Sequence, residues 1–553
     1  MEPSVAEVVT WTQNYMPFGS SYLMPALVAA IPLAILFYML AVQRKAGHKA
    51  AFMATAAAVL LAIFGWHMPA ALALDATLYG AAFGLFPIVW IVITAIWMYN
   101  MTVESGEFEI IKNSLASITE DRRLQAIFIA FAFGSFIEGT AGFGTPVAIT
   151  AAMLVGLGFN PLYAAGICLI ANTAPVAFGA IGIPIVVAAK VTDIDMMHIS
   201  SIVGRQLPFL SVIVPLWLSV TMSGWKRSME ILPAILVAGV SFAGTQFLMS
   251  NFHGPYLPDI ASSIVCIVLL GSFLKVWKPK NTWHFPDEAP STCGVTECKY
   301  SLGQVLRAWM PYVILALMVL LWGLAPVKAI LDKILLINIQ WPGLHNMIIR
   351  TTPVVSKATP LAAVYGLNLM SAAGTAILFS GLLAVLVIPH YGYDKAAACL
   401  GRTVHQLRYP ILTIAMILAL ANIMNLSGMS STLGLALTAT GSWFPFFAPI
   451  LGWLGVFLTG SDTSSNALFG ALQKTTAQQI GVDPALCVAA NSSGGVTGKM
   501  ISPQSISVAT AASNMVGHDG DIFRFTLKHS IAMLAFVCTL TMLQAYWLHW
   551  MLP

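Results

Sequence analysis

Three ionisable side chains, Glu138, Asp462 and Lys499, stand inside stretches that are otherwise apolar or built from small residues, and they are read as the only three deep charges of the chain. A charge at membrane depth costs roughly 2.5 to 3.5 kcal/mol on insertion scales, so each needs a role or a partner. A lone carboxyl in such surroundings resists ionisation and can exchange a proton near neutral pH, chemistry that suits proton coupling by Glu138, Asp462 or both. Lys499 can attract a substrate carboxylate, or pair permanently with Asp462 and tie two elements together. Around these charges lie Thr145, Asn172, Thr173, Ser464, Ser465, Asn491, Ser492 and Ser493. Their amides and hydroxyls can hydrogen-bond a small polar solute, or can simply allow helices to pack closely. One cation and several hydroxyl partners match a 2-hydroxy monocarboxylate, whereas a dicarboxylate would want a second cation. His67 and His405 fall near span ends and read as interfacial. At membrane depth there is no nucleophile beside a base, no pair of catalytic acids and no metal-ligand set, so the chain reads as neither an enzyme nor a holder of a metal or cofactor.

The elements that must position these groups repeat. The run Gly134 to Pro146 (GSFIEGTAGFGTP), continuing to Ala171 to Pro184 (ANTAPVAFGAIGIP), matches Gly455 to Ala467 (GVFLTGSDTSSNA), continuing to Ala490 to Pro503 (ANSSGGVTGKMISP). Gly134, Phe136 and Gly139 match Gly455, Phe457 and Gly460 at a constant offset of 321; Asn172, Gly179 and Pro184 match Asn491, Gly498 and Pro503 at a constant offset of 319. Constant spacing points to an internal repeat. Paired, interrupted apolar segments in corresponding halves of a membrane protein mark a transporter's binding site. The breaks are expected at Asn172–Pro175, where Pro175 removes a donor, and at Asn491–Gly495, where paired glycines loosen the backbone. An interrupted helix exposes N–H groups that attract anions.

The chain of 553 residues is 58% hydrophobic and 9% charged, with a mean hydropathy of +0.82. Those values exclude a water-soluble domain and predict an all-α polytopic membrane protein. Apolar runs predict about twelve transmembrane helices, near 21–42, 50–66, 76–101, 161–189, 206–223, 231–249, 259–275, 308–325, 371–390, 409–437, 484–511 and 530–550. The polar breaks inside 124–157 and 442–479 mark two re-entrant hairpins. The organisation expected is N-terminal scaffold helices (1–123), a first transport repeat (124–190), scaffold helices and loops (191–441), a second transport repeat (442–511), and a C-terminal loop and helix (512–553). The polar start of the chain, acidic at Glu2 and Glu7, does not read as a cleavable signal. The net charge of +4 comes from basic loops and implies no nucleic-acid partner; the expected surroundings are membrane lipid. Cys168, Cys266, Cys399, Cys487 and Cys538 read as small packing residues, and Cys293 and Cys298 as reduced loop thiols.

Orientation follows from Lys and Arg. With both termini outside, 18 of the 26 lie in inward segments, 6 lie outward, and Lys474 and Lys499 fall within the second repeat. An odd number of crossings then separates the hairpins, which makes the repeats inverted, as alternating access requires.

The runs FGSFIEGTAGFGTPVAITAAMLVGLGFNPLYAAGICLIANTAPVAFGAIGIP (Phe133 to Pro184), LGWLGVFLTGSDTSSNALFGALQ (Leu451 to Gln473) and AANSSGGVTGKMISPQS (Ala489 to Ser505) resemble the bacterial L-lactate permease family, which includes glycolate permeases. VGRQLPF, SNFHGPYLPDI and FRFTLKHS extend the likeness over essentially the whole chain. The resemblance implies an inner-membrane secondary transporter importing L-lactate, and often D-lactate and glycolate, in symport with protons. It also implies an elevator-like ion-transporter architecture, often dimeric. A sodium-coupled small-carboxylate transporter of the same fold, with unwound carbonyls near Asn172 and Asn491 holding the ion, is the alternative.

Overall fold

The computed structural model describes residues 10–285 and 300–553 apart from 20, 44, 117, 143, 356 and 516–517. The loop thiols Cys293 and Cys298 and the inward cations Arg44 and Lys299 lie outside the described residues. Behind a first apolar helical segment, Leu23–Leu40, the helices that matter here are α1 (Gly47–Phe64), α2 (Ala70–Phe83), α3 (Trp90–Glu104), α4 (Gly134–Thr140), α5 (Thr145–Gly156), α6 (Pro161–Ala171), α7 (Gly179–Thr192), α8 (Met196–Ser223), α9 (Leu232–Phe252), α10 (Pro258–Val276), α11 (Leu302–Gly323), α12 (Ala373–Val387), α13 (Tyr393–Leu426), α14 (Phe444–Thr459), α15 (Asp462–Ile480), α16 (Pro484–Lys499), α17 (Pro503–Ala512) and α18 (Asp519–Tyr546).

Among the described residues, ten helical segments are long and apolar enough to cross a bilayer, or eleven with the bent pair α6 and α7. The expected span at 371–390 forms only the 15-residue α12. The expected span at 409–437 divides at Gly428 (φ +88°), where α13 has ended and a new segment begins that leads into α14. A left-handed residue cannot continue an α-helix, and glycine adopts it without steric cost.

Both helical hairpins form. Arg122–Ala126, Ile127–Phe133 and α4 make the first arm of one and α5 the second, with Ala141, Gly142 and Gly144 at the tip; α14 and α15 make the other, with the tip at Gly460–Ser461. The base of the first hairpin is held by Arg123, whose guanidinium is buried, 2.7 Å from Asp121 and 3.0 Å from Glu230. Five helices, α8, α9, α10, α16 and α18, pack on one another and on the hairpins, whereas α1, α2, α3, α11, α12 and α13 pack mainly among themselves.

The first interrupted helix is as expected: α6 ends at Ala171, a turn and a 3-10 segment (Val176–Phe178) follow, and α6 and the helix beyond are bent by 61°. The second break is not at Asn491–Gly495, because α16 runs without interruption through those residues to Lys499. Gly494 faces the backbone of Pro449, and Gly498 faces the backbone of Trp453, so closely that neither position has room for a Cβ. These glycines therefore serve close packing of α14 on α16, and the packing outweighs their helix-propensity cost of about 1 kcal/mol each. The interruption comes instead at 500–502, with Ser502 capping α17 by accepting from the Ser505 N–H. At the offset of 319 those positions match 181–183. There Ala180, Ile181 and Gly182 are left-handed, with φ of 46°, 58° and 73°. The discontinuity common to both repeats thus lies immediately before the matched Pro184 and Pro503. Pro175, which has Gly494 as its counterpart, adds a second unwinding to the first repeat alone.

The stretch expected to carry only short amphipathic runs contains strands. Ile337–Gln340 pairs antiparallel with Val364–Leu367, and Ile348–Arg350 pairs with Thr359–Pro360 and, in parallel, with Trp11–Thr12 near the N-terminus. Tyr79, Trp341 and Tyr365 pack edge to face beneath them.

Candidate functional site

Hairpin tips and interrupted helices converge on one cavity of about 980 Å³. Its inner wall is made by Glu138 from α4, Gly142 from the first tip, Gly179, Ala180 and Pro184 from the first break, Ser461 to Ser464 from the second tip, and Lys499 and Pro503 from the second break. The first turns of α15 and α17 both line it, so two helix N-termini present their partial positive charge to its interior. Lys45, His48 and Lys49 line the other end, and both lysines are exposed.

Lys499 donates to Glu138 Oε1 at 2.9 Å, and both side chains are almost wholly buried. The ion pair thus joins the first hairpin to the end of α16. The sequence alternative that tied Lys499 to Asp462 is not what forms. Glu138 fits where it does because Gly179 packs against it, a Cβ there falling 2.6 Å from its carboxylate. Asp462, the first residue of α15, instead accepts from the Ser492 hydroxyl and, at 3.5 Å, from the Asn466 amide. Asn466 in turn donates to the Pro184 carbonyl at 3.1 Å and accepts from Asn491 at 2.9 Å, which links the second hairpin to both repeats. Glu138 Oε2 and Asp462 Oδ1 are buried with no hydrogen-bond partner among the described residues.

Of the residues singled out from sequence, Glu138, Asp462, Ser464 and Lys499 line the cavity. Ser465, Asn491 and Ser492 lie behind it as a closed network: Asn491 donates toward Ser465 at 3.4 Å and accepts from Gln473 at 3.1 Å, and Ser465 donates to the Gly452 carbonyl at 3.1 Å. Asn172, Thr173 and Ser493 are buried away from the cavity lining, and their side chains find no partner among the described residues. Thr145 opens α5 at the first tip. The sequence reading missed Gln504 and Ser507, which α17 turns toward the cavity one helical turn apart.

It also missed a buried acid close to Glu138. Asp259, in the first turn of α10, is 1% exposed, and neither carboxylate oxygen has a hydrogen-bond partner among the described residues. In sequence it stands as an acid at the start of an apolar run, the place of an ordinary helix-capping group at the interface. Only the packing of α10 on α4 reveals it as interior.

The arrangement can hold one small anion against Lys499 and two helix N-termini, and it offers carboxyl groups whose charge balance changes when Lys499 is shared.

The family model described as L-lactate permease matches residues 25–548. The glycolate permease GlcA of Escherichia coli (strain K12) is 53% identical, covering 98% of this chain and 99% of its own. L-lactate permeases of Bacillus subtilis (strain 168) and Escherichia coli (strain K12) are 50% and 52% identical, each covering 98% of this chain and 100% of its own. Two solved transporters are more distantly similar: MtrF of Neisseria gonorrhoeae (12% identity, TM-score 0.45, 86% of this chain and 84% of that one) and YdaH of Alcanivorax borkumensis (13%, 0.44, 86% and 89%). A match from residue 25 to 548 and near full-length identity of about one residue in two make this chain a member of the L-lactate permease family.

Proposed function

We propose that this protein imports L-lactate, and with it D-lactate and glycolate, across the bacterial inner membrane by proton symport. The observation that carries the reading is the buried Lys499–Glu138 pair at a cavity faced by two helix N-termini. An arriving monocarboxylate takes its place against Lys499 and the first turns of α15 and α17, and the Ser464 side chain and its neighbours meet the 2-hydroxyl. Sharing Lys499 leaves Glu138 without its counter-charge. A buried carboxylate stripped of its partner is costly by several kcal/mol, so the acid takes up a proton and the anion enters with it. Asp462, held by Ser492 and Asn466, is the second acid able to do so. The loaded site then carries no added charge through the low-dielectric zone.

The elevator unit in this reading comprises the two repeats, 124–190 and 442–511, with α8, α9, α10 and α18 moving on them, and it slides against α1–α3 and α11–α13. In this reading, following the positive-inside bias, Lys45 and Lys49 and the end of the cavity they line face the cytoplasm, and both termini face the periplasm.

Labelled L-lactate uptake into proteoliposomes tests this. Accumulation should require an inward proton gradient, be indifferent to sodium, and be inhibited by unlabelled D-lactate and glycolate. Accumulation that follows a sodium gradient and ignores pH would overturn it.

A further inference from the structure

Helices α4 and α10 run antiparallel in close contact. Gly139 has Asp259 beside it, a Cβ there falling 2.7 Å from that of Asp259, while Gly271, three turns along α10, faces Phe128. That register sets Glu138 and Asp259 at one level and Ser135 and Ser262 at the next. Along this seam Glu138 Oε2, both Asp259 oxygens, Ser135 Oγ and Ser262 Oγ are all buried, and none has a hydrogen-bond partner among the described residues. Buried polar atoms are almost always paired, so a string of unpaired ones along a single helix contact marks a place that holds protons or water. The charges that act on Asp259 are Glu138 on α4 and Lys499 on α16. The intervening segment Ile127–Phe133 and α9, also packed on α10, carry no ionisable side chain, and the nearest flanking groups in sequence are His253 and Tyr256.

We propose that Asp259 is a second proton-binding site of the transporter and the proton source for Glu138. The charge count supports it. One ammonium balances one carboxylate, so with Glu138 ionised against Lys499 the unpaired Asp259 rests as the neutral acid. When a substrate carboxylate shares Lys499, the Asp259 O–H bond breaks, the proton passes through water in the seam to form a new O–H bond on Glu138 Oε2, and Asp259 is reprotonated from water. One proton enters for each anion, and Glu138 is charged only while Lys499 is its own.

This inference rests on the symport reading, and one set of vesicles separates the two. Full-length wild type, Asp259→Asn and Asp259→Glu are reconstituted with a pH dye inside, and lactate counterflow at equal pH is measured beside lactate-driven acidification. Counterflow exchanges loaded carriers and needs no net proton movement. Asp259→Asn should therefore lose acidification by at least about tenfold, the scale of removing a positioned proton-transfer group, and lose much less of counterflow. Asp259→Glu should restore acidification. Wild-type vesicles that import lactate without acidification would sink the symport reading itself. Wild-type coupling that survives unchanged in Asp259→Asn would sink this inference alone, as would proportionate loss of both activities with no rescue by Asp259→Glu. Should Asp259→Asn fail to fold, infrared difference spectra decide. Lactate binding to wild type should change a carboxyl carbonyl band that shifts in Asp259→Glu, and a band unmoved by that substitution overturns the assignment.

Discussion

At the scale of single residues, the site depends on how few charges are buried and on which of them are paired. Lys499 holds Glu138, and Asp462 is held by neutral donors, so removing one member of the ion pair is a different experiment from removing both. Lys499→Ala strands Glu138 in the interior and should lower stability by about 3 to 5 kcal/mol, visible as a fall in melting temperature in detergent. It should also raise the apparent KM for lactate. Combining Lys499→Met with Glu138→Gln should recover most of the melting temperature and none of the uptake; a double variant that transports would remove Lys499 from the anion site. For the acids, Glu138→Gln and Asp462→Asn should impair proton-driven accumulation more than lactate exchange, measured side by side in vesicles. Equal loss of both activities in a well-folded variant would take that acid out of proton coupling.

At the scale of elements, the two interrupted helices differ for a reason that lies in their neighbours. Pro175 has no amide hydrogen and follows Asn172 and Thr173 just past the end of α6, a cluster recognisable as a break from residues alone, whereas Pro208 and Pro215 sit inside the continuous α8. Gly494 and Gly495 weaken a helix only if nothing else holds it. Here α14 lies against α16 so closely that the glycines are contact points, and the helix continues. Gly494→Val should therefore overpack that contact and destabilise the protein by about 1 to 3 kcal/mol, read as a lower melting temperature. Gly520→Val, at a position with open space around it, should change little in the same assay. The left-handed run Ala180–Gly182 is a second feature of this scale. Non-glycine residues resist that conformation by roughly 1 to 2 kcal/mol each, and it stands where Pro184 restarts the helix beside the cavity.

At the scale of the whole molecule, the cavity that holds the buried Lys499 and its counter-charge Glu138, with Asp462 and Asp519 also in its wall, is lined by the exposed Lys45 and Lys49 as a two-cation mouth. Such a mouth concentrates anions, and salt screens it over about 8 Å at physiological ionic strength. Lys45→Gln with Lys49→Gln should raise KM severalfold at low salt with the maximal rate unchanged, and should flatten the ionic-strength dependence of uptake from the Lys45 side. The residue sequence by itself determined the membrane character, the internal repeat, the hairpins and the buried charges Glu138, Asp462 and Lys499, because hydropathy, constant spacing and isolated ionisable residues are properties of the chain order. It also carried the Pro175 break, where a missing amide hydrogen follows Asn172 and Thr173. Tertiary packing decided the rest. It chose Glu138 over Asp462 as the partner of Lys499, kept α16 continuous through Asn491, drew Asn491 and Ser465 into a closed network behind the cavity, and buried Asp259 at the seam of α4 and α10. Each of those outcomes depends on which backbone comes to lie against which, and in this protein the partners are separated by up to several hundred residues of chain.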